Sequence, residues 1–412
     1  MLRQAVILCG GLGTRLGDLT AHTPKPLLPV NGTPFLDILI QEIVRYGFRE
    51  VLLLAGRYGE QIRTQYQDRT MFGARVRVLI EPEPLGTGGA LRFALDVLDP
   101  EFLLANGDSW IDADLTQFSR AWKEKQANHP EALAQILLHS IENPERFGAV
   151  ETRDNQVVAF QEKGSHLGGG LRLINAGVYV FRREVVVEAS PGKAVSLERE
   201  ILPALVAHGH VLCASAGENR YFVDIGVPDS YRSAQIDLPK ARKRPAIFFD
   251  RDGTLNRDVG HTHRVEDLHW MPDARETVAY ANAKGFYAFV ATNQAGVAKG
   301  FYPESAIVQF HDAMQASLFE IGGHIDAFEW CPHHPDGVIA EYRKQCQRRK
   351  PGNAMLADLM TAWPVDLSRS IMIGDAESDM RAASAAGIKG VRYSGGSLLA
   401  LLKREIEEVG GT

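Results

Sequence analysis

Two α/β domains, each a doubly wound sheet, are the fold class this sequence predicts, on three observations. Short apolar runs alternate with amphipathic stretches through both halves. The polar and Gly-rich motifs fall where those runs end. The chain has 412 residues, more than one ordinary core accommodates.

The runs Ala5-Val-Ile-Leu8, Val51-Leu-Leu-Leu-Ala55 and Phe102-Leu-Leu-Ala105 are apolar throughout, as are Ala246-Ile-Phe-Phe249, Phe286-Tyr-Ala-Phe-Val-Ala291 and Ser370-Ile-Met-Ile-Gly374. Such continuity is that of strands buried on both faces. Phe35 to Tyr46 and Ala274 to Lys284 are amphipathic at helical period. The alternation predicts mainly parallel sheets, with each site beyond the carboxyl ends of the strands. Between the halves, Ile236 to Pro245 holds two prolines around a basic run with no apolar period, which predicts a linker. The expected division is residues 1–235, a linker over 236–244, and 245–412.

The apolar fraction of 45% and charged fraction of 23% are those of a globular protein. A net charge of −6 argues against nucleic acid as the main partner. Four cysteines in so long a chain make no disulfide framework and point to a reducing compartment. The opening apolar run is too short for a signal peptide and leads straight into glycines. No run approaches the ~20 residues needed to span a bilayer. A cytoplasmic protein with no membrane partner is expected, and composition does not speak to oligomeric state.

In the first half, Gly10-Gly-Leu-Gly-Thr-Arg15 follows a strand. Glycines let backbone approach phosphate, and exposed amides supply donors. Position 16 is Leu, so the dinucleotide fingerprint fails, and no Gly-Lys-Ser/Thr follows to make a P-loop. Further on come Thr23-Pro-Lys-Pro-Leu-Leu-Pro29, Glu81-Pro-Glu-Pro-Leu-Gly-Thr-Gly-Gly-Ala90, Asn106-Gly-Asp108, Glu162-Lys163, Asn175-Ala-Gly177 and Phe222-Val-Asp-Ile-Gly226. This ordered series resembles the sugar nucleotidyltransferases over roughly residues 1–235, implying a nucleotidyltransferase Rossmann-like fold. The resemblance implies that a sugar 1-phosphate oxygen attacks the α-phosphorus of a nucleoside triphosphate and pyrophosphate leaves. Charge concentrates on the triphosphate, so cations are needed there. By the resemblance, Gly10, Gly11, Gly13 and Thr14 cradle the nucleotide, Arg15 serves the β- and γ-phosphates and Lys25 the α-phosphate. Gly86 and Thr87 face the base. Glu162, Asn175 and Gly177 line the sugar pocket, and Lys163 neutralises the sugar phosphate. Asp108 and Asp224 would hold Mg²⁺, as paired carboxylates hold a hard cation.

In the second half, Asp250-Arg-Asp-Gly-Thr-Leu-Asn256 places two carboxylates two residues apart after a strand, which suits phosphoryl transfer through an aspartyl-phosphate. Ala291-Thr-Asn-Gln-Ala-Gly-Val-Ala-Lys-Gly300, Arg349-Lys-Pro351 and Gly374-Asp-Ala-Glu-Ser-Asp379 follow in order. The four motifs resemble those of the haloacid dehalogenase superfamily, implying its Rossmannoid fold. By that resemblance Asp250 attacks phosphorus, and Asp252 protonates the leaving alkoxide and then activates water. Thr292 or Asn293, with Lys299 and Arg349, binds the phosphorylated substrate, and Lys350 offsets charge. Asp375 completes a Mg²⁺ site with Asp250 and the backbone carbonyl of Asp252.

Cys331-Pro-His333-His-Pro and Cys346-Gln-Arg-Arg-Lys-Pro351 resemble a loop of the heptose-bisphosphate and histidinol-phosphate phosphatases, where Cys-x-His and Cys-x-Cys bind zinc. Here Cys331, His333 and Cys346 match, but position 348 is Arg. A structural zinc wants four ligands, and arginine cannot be one. His334 is adjacent, but in an extended segment it points the other way. Little or no bound zinc is expected.

The pairing implies a pathway needing a phosphatase and a nucleotidyltransferase together. The first half most resembles heptose 1-phosphate guanylyltransferases and the second heptose-bisphosphate phosphatases. The expected partners are therefore small molecules: nucleoside triphosphate and sugar phosphates. Two other readings stand beside this. One is a hexose 1-phosphate transferase fused to a histidinol-phosphatase relative. The other is a non-catalytic nucleotide-sugar-binding regulatory module, which loss of Arg15, Lys25 or an aspartate would have favoured.

Overall fold

In the computed structural model, residues 1–11, 13–142, 147–161, 170–187 and 192–410 are described. The chain forms two compact units, Met1–Val44 with Phe48–Ala241, and Arg45–Gly47 with Arg242–Thr412.

The first unit is built on a ten-stranded sheet. At its heart Gln4–Leu8 lies between Glu50–Ala55 and Glu101–Asn106, parallel to both. The long strand Arg172–Arg182 runs antiparallel to Glu101–Asn106 and to Ala134–Ile141. The sheet is therefore mixed, where the sequence pattern predicts mainly parallel pairing. Continuous apolarity reports cover on both faces, and it is blind to strand direction. One face packs Val6, Leu52, Leu54, Phe102 and Leu104 against Ala90 and Leu91, which lie on the helix Gly86–Phe93. A separate two-stranded ribbon pairs Ser109–Ile111 with Phe222–Asp224.

The second unit holds a five-stranded parallel sheet, in the order Ala327–Cys331, Tyr287–Asn293, Ala246–Phe249, Ile371–Gly374, Lys389–Arg392. Its central strand is apolar at every position for a visible reason. Ile247 and Phe249 enter one core cluster, and Ala246 and Phe248 enter the other. Side chains alternate across a strand, so a strand covered on both sides has no polar position to spare. The chain reverses its direction of winding at that strand, which opens a crevice at the carboxyl ends.

The segment expected as a linker, 236–244, is helical as far as Arg242. A helix spans Pro228–Arg242 and carries Pro239 in its interior. Ala234 and Leu238 are fully buried on it. Burial of those side chains offsets the missing proline donor, an effect the local basic run conceals. Among the described residues, no helix is long and apolar enough to cross a membrane.

Candidate active sites

The first site gathers at the carboxyl end of Gln4–Leu8. Lys25 sits in a short helical turn, Lys25–Leu27, behind Pro24. Its side chain is buried, and Nζ lies 2.5 Å from Asp108 Oδ2 and 3.5 Å from Asp224 Oδ1. The two aspartates meet because the ribbon pairs Asp224 with Ser109, and Ile225 N donates to Asp108 O at 2.9 Å. Ser109 Oγ donates to Asp108 Oδ1, and Gly226 N to Asp224 Oδ1 at 2.6 Å. One ammonium thus faces two carboxylates. The donor set is all oxygen, and Asp108 is the more open of the two, 35% exposed against 16%. That fits Mg²⁺, which binds through one or two carboxylates and keeps room for substrate phosphate.

A cavity of about 410 Å³ opens beside this cluster, with Gly10, Gly11, Lys25, Gly86, Thr87 and Asp108 on its walls. Gly13 caps a 3-10 helix, Thr14–Thr20, that Thr14 and Arg15 open; both of these are exposed. Arg15 still belongs to the cluster. A Cβ built on Gly226 would stand 2.6 Å from both Asp224 Oδ1 and Lys25 Nζ, and 3.3 Å from Arg15 Nη2. Gly226 therefore lies where the three functional side chains converge. Gly226→Ala is expected to lower pyrophosphate release by about 10²-fold, the scale of an ångström displacement, with phosphate release unchanged; a coupled pyrophosphate assay checks it.

Other predicted residues have structural duties as well. Thr87 Oγ1 donates to Glu198 Oε2 at 2.9 Å and accepts from Leu197 N at 2.8 Å. Asn175 Nδ2 donates to Tyr179 Oη at 2.8 Å, and its Oδ1 accepts from Gly177 N at 2.9 Å. Glu162 and Lys163 lie outside the described residues. Glu81, to which its place at the start of a Gly-rich loop gives no role, lines the cavity. Burial pushes its carboxyl up, and Oε2 accepts from Leu85 N at 3.2 Å.

The second site occupies the crevice of the five-stranded sheet. Asp250 follows the central strand, Thr292 and Asn293 end the next, and Asp375 follows a third. Lys350 is buried, with Nζ 2.6 Å from Asp250 Oδ1 and 2.7 Å from Asp379 Oδ1. Burial alone would lower its pKa, but Asp250 and Asp379 hold it above the ordinary value. Burial pushes the Asp250 carboxyl up to about 7, against the pull of Lys350 and with Asp379 adding to it. Asp375 is raised for the same first reason. Oxygens of Asp250, Asp375 and Asp379 lie within 4.8 Å of one another. Three carboxylates facing one lysine fit a divalent hard cation. Gly253 has φ +81°, and a Cβ there would collide with the Asp375 carboxylate, so glycine is what lets the loop after Asp250 close on Asp375.

Asp252 is held by residues that motif reading left without a role. Its carboxylate accepts from Arg251 Nη2 at 2.8 Å, Asn256 Nδ2 at 2.9 Å and Gln294 Nε2 at 2.8 Å. Tyr302 Oη in turn donates to Gln294 Oε1 at 2.8 Å. Arg251 is fully buried and sits in the middle of the Asp-x-Asp motif, where its position alone could have marked it. Asp379 closes the fourth motif and was likewise without a role. Thr292 and Asn293, offered as alternatives, differ in employment. Asn293 Oδ1 accepts from Lys350 N at 2.9 Å, and its Nδ2 donates to Lys350 O at 3.1 Å. It holds the Lys350 backbone. Thr292 is buried, and its Oγ1 accepts from Gln294 at 2.9 Å. Lys299 Nζ lies 3.5 Å from His261 Nε2. Arg349 Nη1 is buried and has no hydrogen-bond partner among the described residues, which suits an anionic ligand.

Cys331, His333 and Cys346 also come together, with their ligand atoms within 4.8 Å of one another and Cys331 Sγ 3.7 Å from His333 Nδ1. Burial pushes the Cys331 thiol up to about 11 and the His333 imidazole down. His334 is not among them; its Nδ1 accepts from Asp336 N. Arg348 turns to Glu329 and Asp358. Among the described residues the donor set stops at three, so it does not fit a four-ligand structural zinc.

Known proteins resemble both units. A family model described as nucleotidyl transferase matches residues 4–241, and one described as HAD-hydrolase-like matches residues 347–406. The D-glycero-beta-D-manno-heptose-1,7-bisphosphate 7-phosphatase of Rhodopseudomonas palustris is 42% identical over 169 residues, 41% of this chain and 94% of that protein. The D-glycero-alpha-D-manno-heptose 1-phosphate guanylyltransferase of Aneurinibacillus thermoaerophilus is 34% identical over 240 residues, 57% of this chain and 98% of that protein. The mannose-1-phosphate guanylyltransferase of Mycobacterium tuberculosis is 34% identical over 258 residues, 62% of this chain and 70% of that protein. The chain belongs to the nucleotidyl transferase family through its first unit and is a HAD-like hydrolase in its second.

Proposed function

We propose that this is a bifunctional enzyme leading to GDP-D-glycero-α-D-manno-heptose. The second unit removes the C7 phosphate of a heptose 1,7-bisphosphate, and the first transfers GMP from GTP to the resulting heptose 1-phosphate, releasing pyrophosphate. The observation that carries this reading is a shared sugar. One chain matches a heptose-bisphosphate phosphatase and a heptose 1-phosphate guanylyltransferase, each over nearly its whole length.

In the phosphatase reaction a carboxylate oxygen of Asp250 attacks phosphorus, and Asp252 delivers a proton to the departing C7 alkoxide. Asp252 then takes a proton from the water that frees phosphate from Asp250. Lys350 offsets phosphoryl charge at Asp250, and Arg349 offers its free Nη1 to an anionic oxygen. Asp250, Asp375 and the Asp252 carbonyl would hold Mg²⁺, which supplies further charge neutralisation when bound. In the transferase reaction Lys25 and Arg15 meet the charge that builds on the triphosphate, and Lys163 meets the sugar phosphate. Asp108 and Asp224 would hold Mg²⁺ there.

Glu81 supports guanine as the base. A carboxylate accepts two parallel N–H donors, and guanine presents such a pair in N1–H and its 2-amino group. Glu81→Gln is expected to narrow the preference for GTP over ITP, which lacks the amino group, by at least about tenfold, the worth of a specific polar contact.

The names of the two relatives differ in anomer, beta for the phosphatase and alpha for the transferase. A fused chain works on one sugar only if both units accept the same anomer, and we assign the α form to both. The test is one reaction containing Mg²⁺, GTP and either anomer of the bisphosphate, resolved by mass spectrometry. GDP-heptose with phosphate and pyrophosphate from the α anomer supports the reading. Phosphate without GDP-heptose from the α anomer sinks the guanylyltransferase half. Similarity to a mannose-1-phosphate guanylyltransferase favours mannose 1-phosphate as the second substrate to try.

A further inference from the structure

We propose that in this chain an ion triad centred on Arg348 takes the place of a fourth metal ligand, so that the loop carrying Arg349 and Lys350 is tied down without zinc. Glu329 and Cys331 lie two residues apart on the strand Ala327–Cys331, so their side chains leave the same face. Across from them, Cys346 and Arg348 are also two apart. The facing residues make two rungs. In one, Cys331, His333 and Cys346 converge. In the other, Arg348 Nη2 donates to Glu329 Oε2 and Nη1 to Asp358 Oδ2.

Asp358 belongs to the helix Ala354–Ala362, which begins just after the loop. One guanidinium therefore clamps the strand that leads into the site and the helix that leaves it. Its planar fork meets the two carboxylates through separate nitrogens held in a fixed geometry, which a lysine's single nitrogen does not reproduce. Arg348 itself has no lone pair to offer a metal. Arg348 and Glu329 are each about a third exposed, so salt weakens the clamp without abolishing it. The loop's work lies a short step away, where Lys350 reaches Asp250 and Asn293 grips the Lys350 backbone. Arg348 is thus a positioning residue, acting through Lys350.

The zinc arm of the test does not depend on which sugar the enzyme uses. The full chain is expressed with zinc in the medium, dialysed, and its metal content measured. Wild type is expected to hold well under one zinc per chain, and Arg348→Cys about one, the four-ligand stoichiometry. The activity arm uses p-nitrophenyl phosphate with Mg²⁺ present. Arg348→Ala is expected to lose about tenfold in kcat/KM, with Arg348→Lys between it and wild type. Arg348→Cys should regain activity on addition of zinc and lose it to a zinc chelator, while wild type ignores both. One tightly held zinc in dialysed wild type overturns the proposal, and that result needs no variant to fold. So does an Arg348→Ala enzyme with wild-type kcat and KM.

Discussion

Asp250→Asn is expected to abolish phosphate release, by at least about a thousandfold, the scale of removing a nucleophile, while pyrophosphate release continues at the wild-type rate. The amide has nearly the shape of the carboxylate, so packing is preserved, but its nitrogen and neutral oxygen do not attack phosphorus. Lys350 keeps Asp379 at 2.7 Å as its partner, so no unpaired cation is left behind. The fold should not suffer. Burial already holds the Asp250 carboxyl up to about 7, which means the folded state resists its charge. Replacing a disfavoured buried carboxylate with a neutral amide should leave the melting temperature of the second unit unchanged or higher. The checks are a phosphate assay, a pyrophosphate assay and a thermal melt on the same preparation. Loss of both activities in a folded chain would defeat the two-site reading.

Lys25→Ala is expected to do the reverse, cutting pyrophosphate release by about 10²–10³-fold, the cost of removing one preorganised charge from a developing oxyanion. Phosphate release then serves as the control for a sound chain. The lysine has two duties in the geometry. In the proposed reaction it meets the triphosphate, and in the structure it stands between Asp108 and Asp224, 2.5 and 3.5 Å from them. Its removal leaves two carboxylates repelling each other across the ribbon. Added Mg²⁺ should therefore raise the melting temperature of Lys25→Ala more than that of wild type. Asp108→Asn should match Lys25→Ala in lost activity but show no such gain with Mg²⁺, since one of the two carboxylates is gone. If Lys25→Ala retained pyrophosphate release, the placing of the α-phosphate beside Lys25 would be wrong.

The legibility of these sites differs residue by residue. Asp250 and Asp375 could be placed at strand ends because each follows an apolar run, and a strand buried on both faces must be apolar. Lys25, Asp108 and Asp224 could be named as a set from motif order, but their meeting depends on the pairing of Ser109–Ile111 with Phe222–Asp224. Those strands are three residues each, too short for any periodicity to announce. The holders of Asp252 were harder still. Arg251 is its neighbour, whereas Gln294 follows the end of another strand and is itself held by Tyr302.

The sequence by itself determined two α/β units, the strands that carry the chemistry and the residue types at their ends, because burial on both faces and phosphate chemistry each leave a local mark. Tertiary structure alone decided the mixed direction of the ten-stranded sheet, the helix running through Pro239, and the turning of Arg348 toward Glu329 and Asp358. It also decided the division of labour between Asn293, which grips Lys350, and Asp379, which faces its ammonium. Each of these is set by partners distant in sequence, whose contribution enters only when the chain is folded.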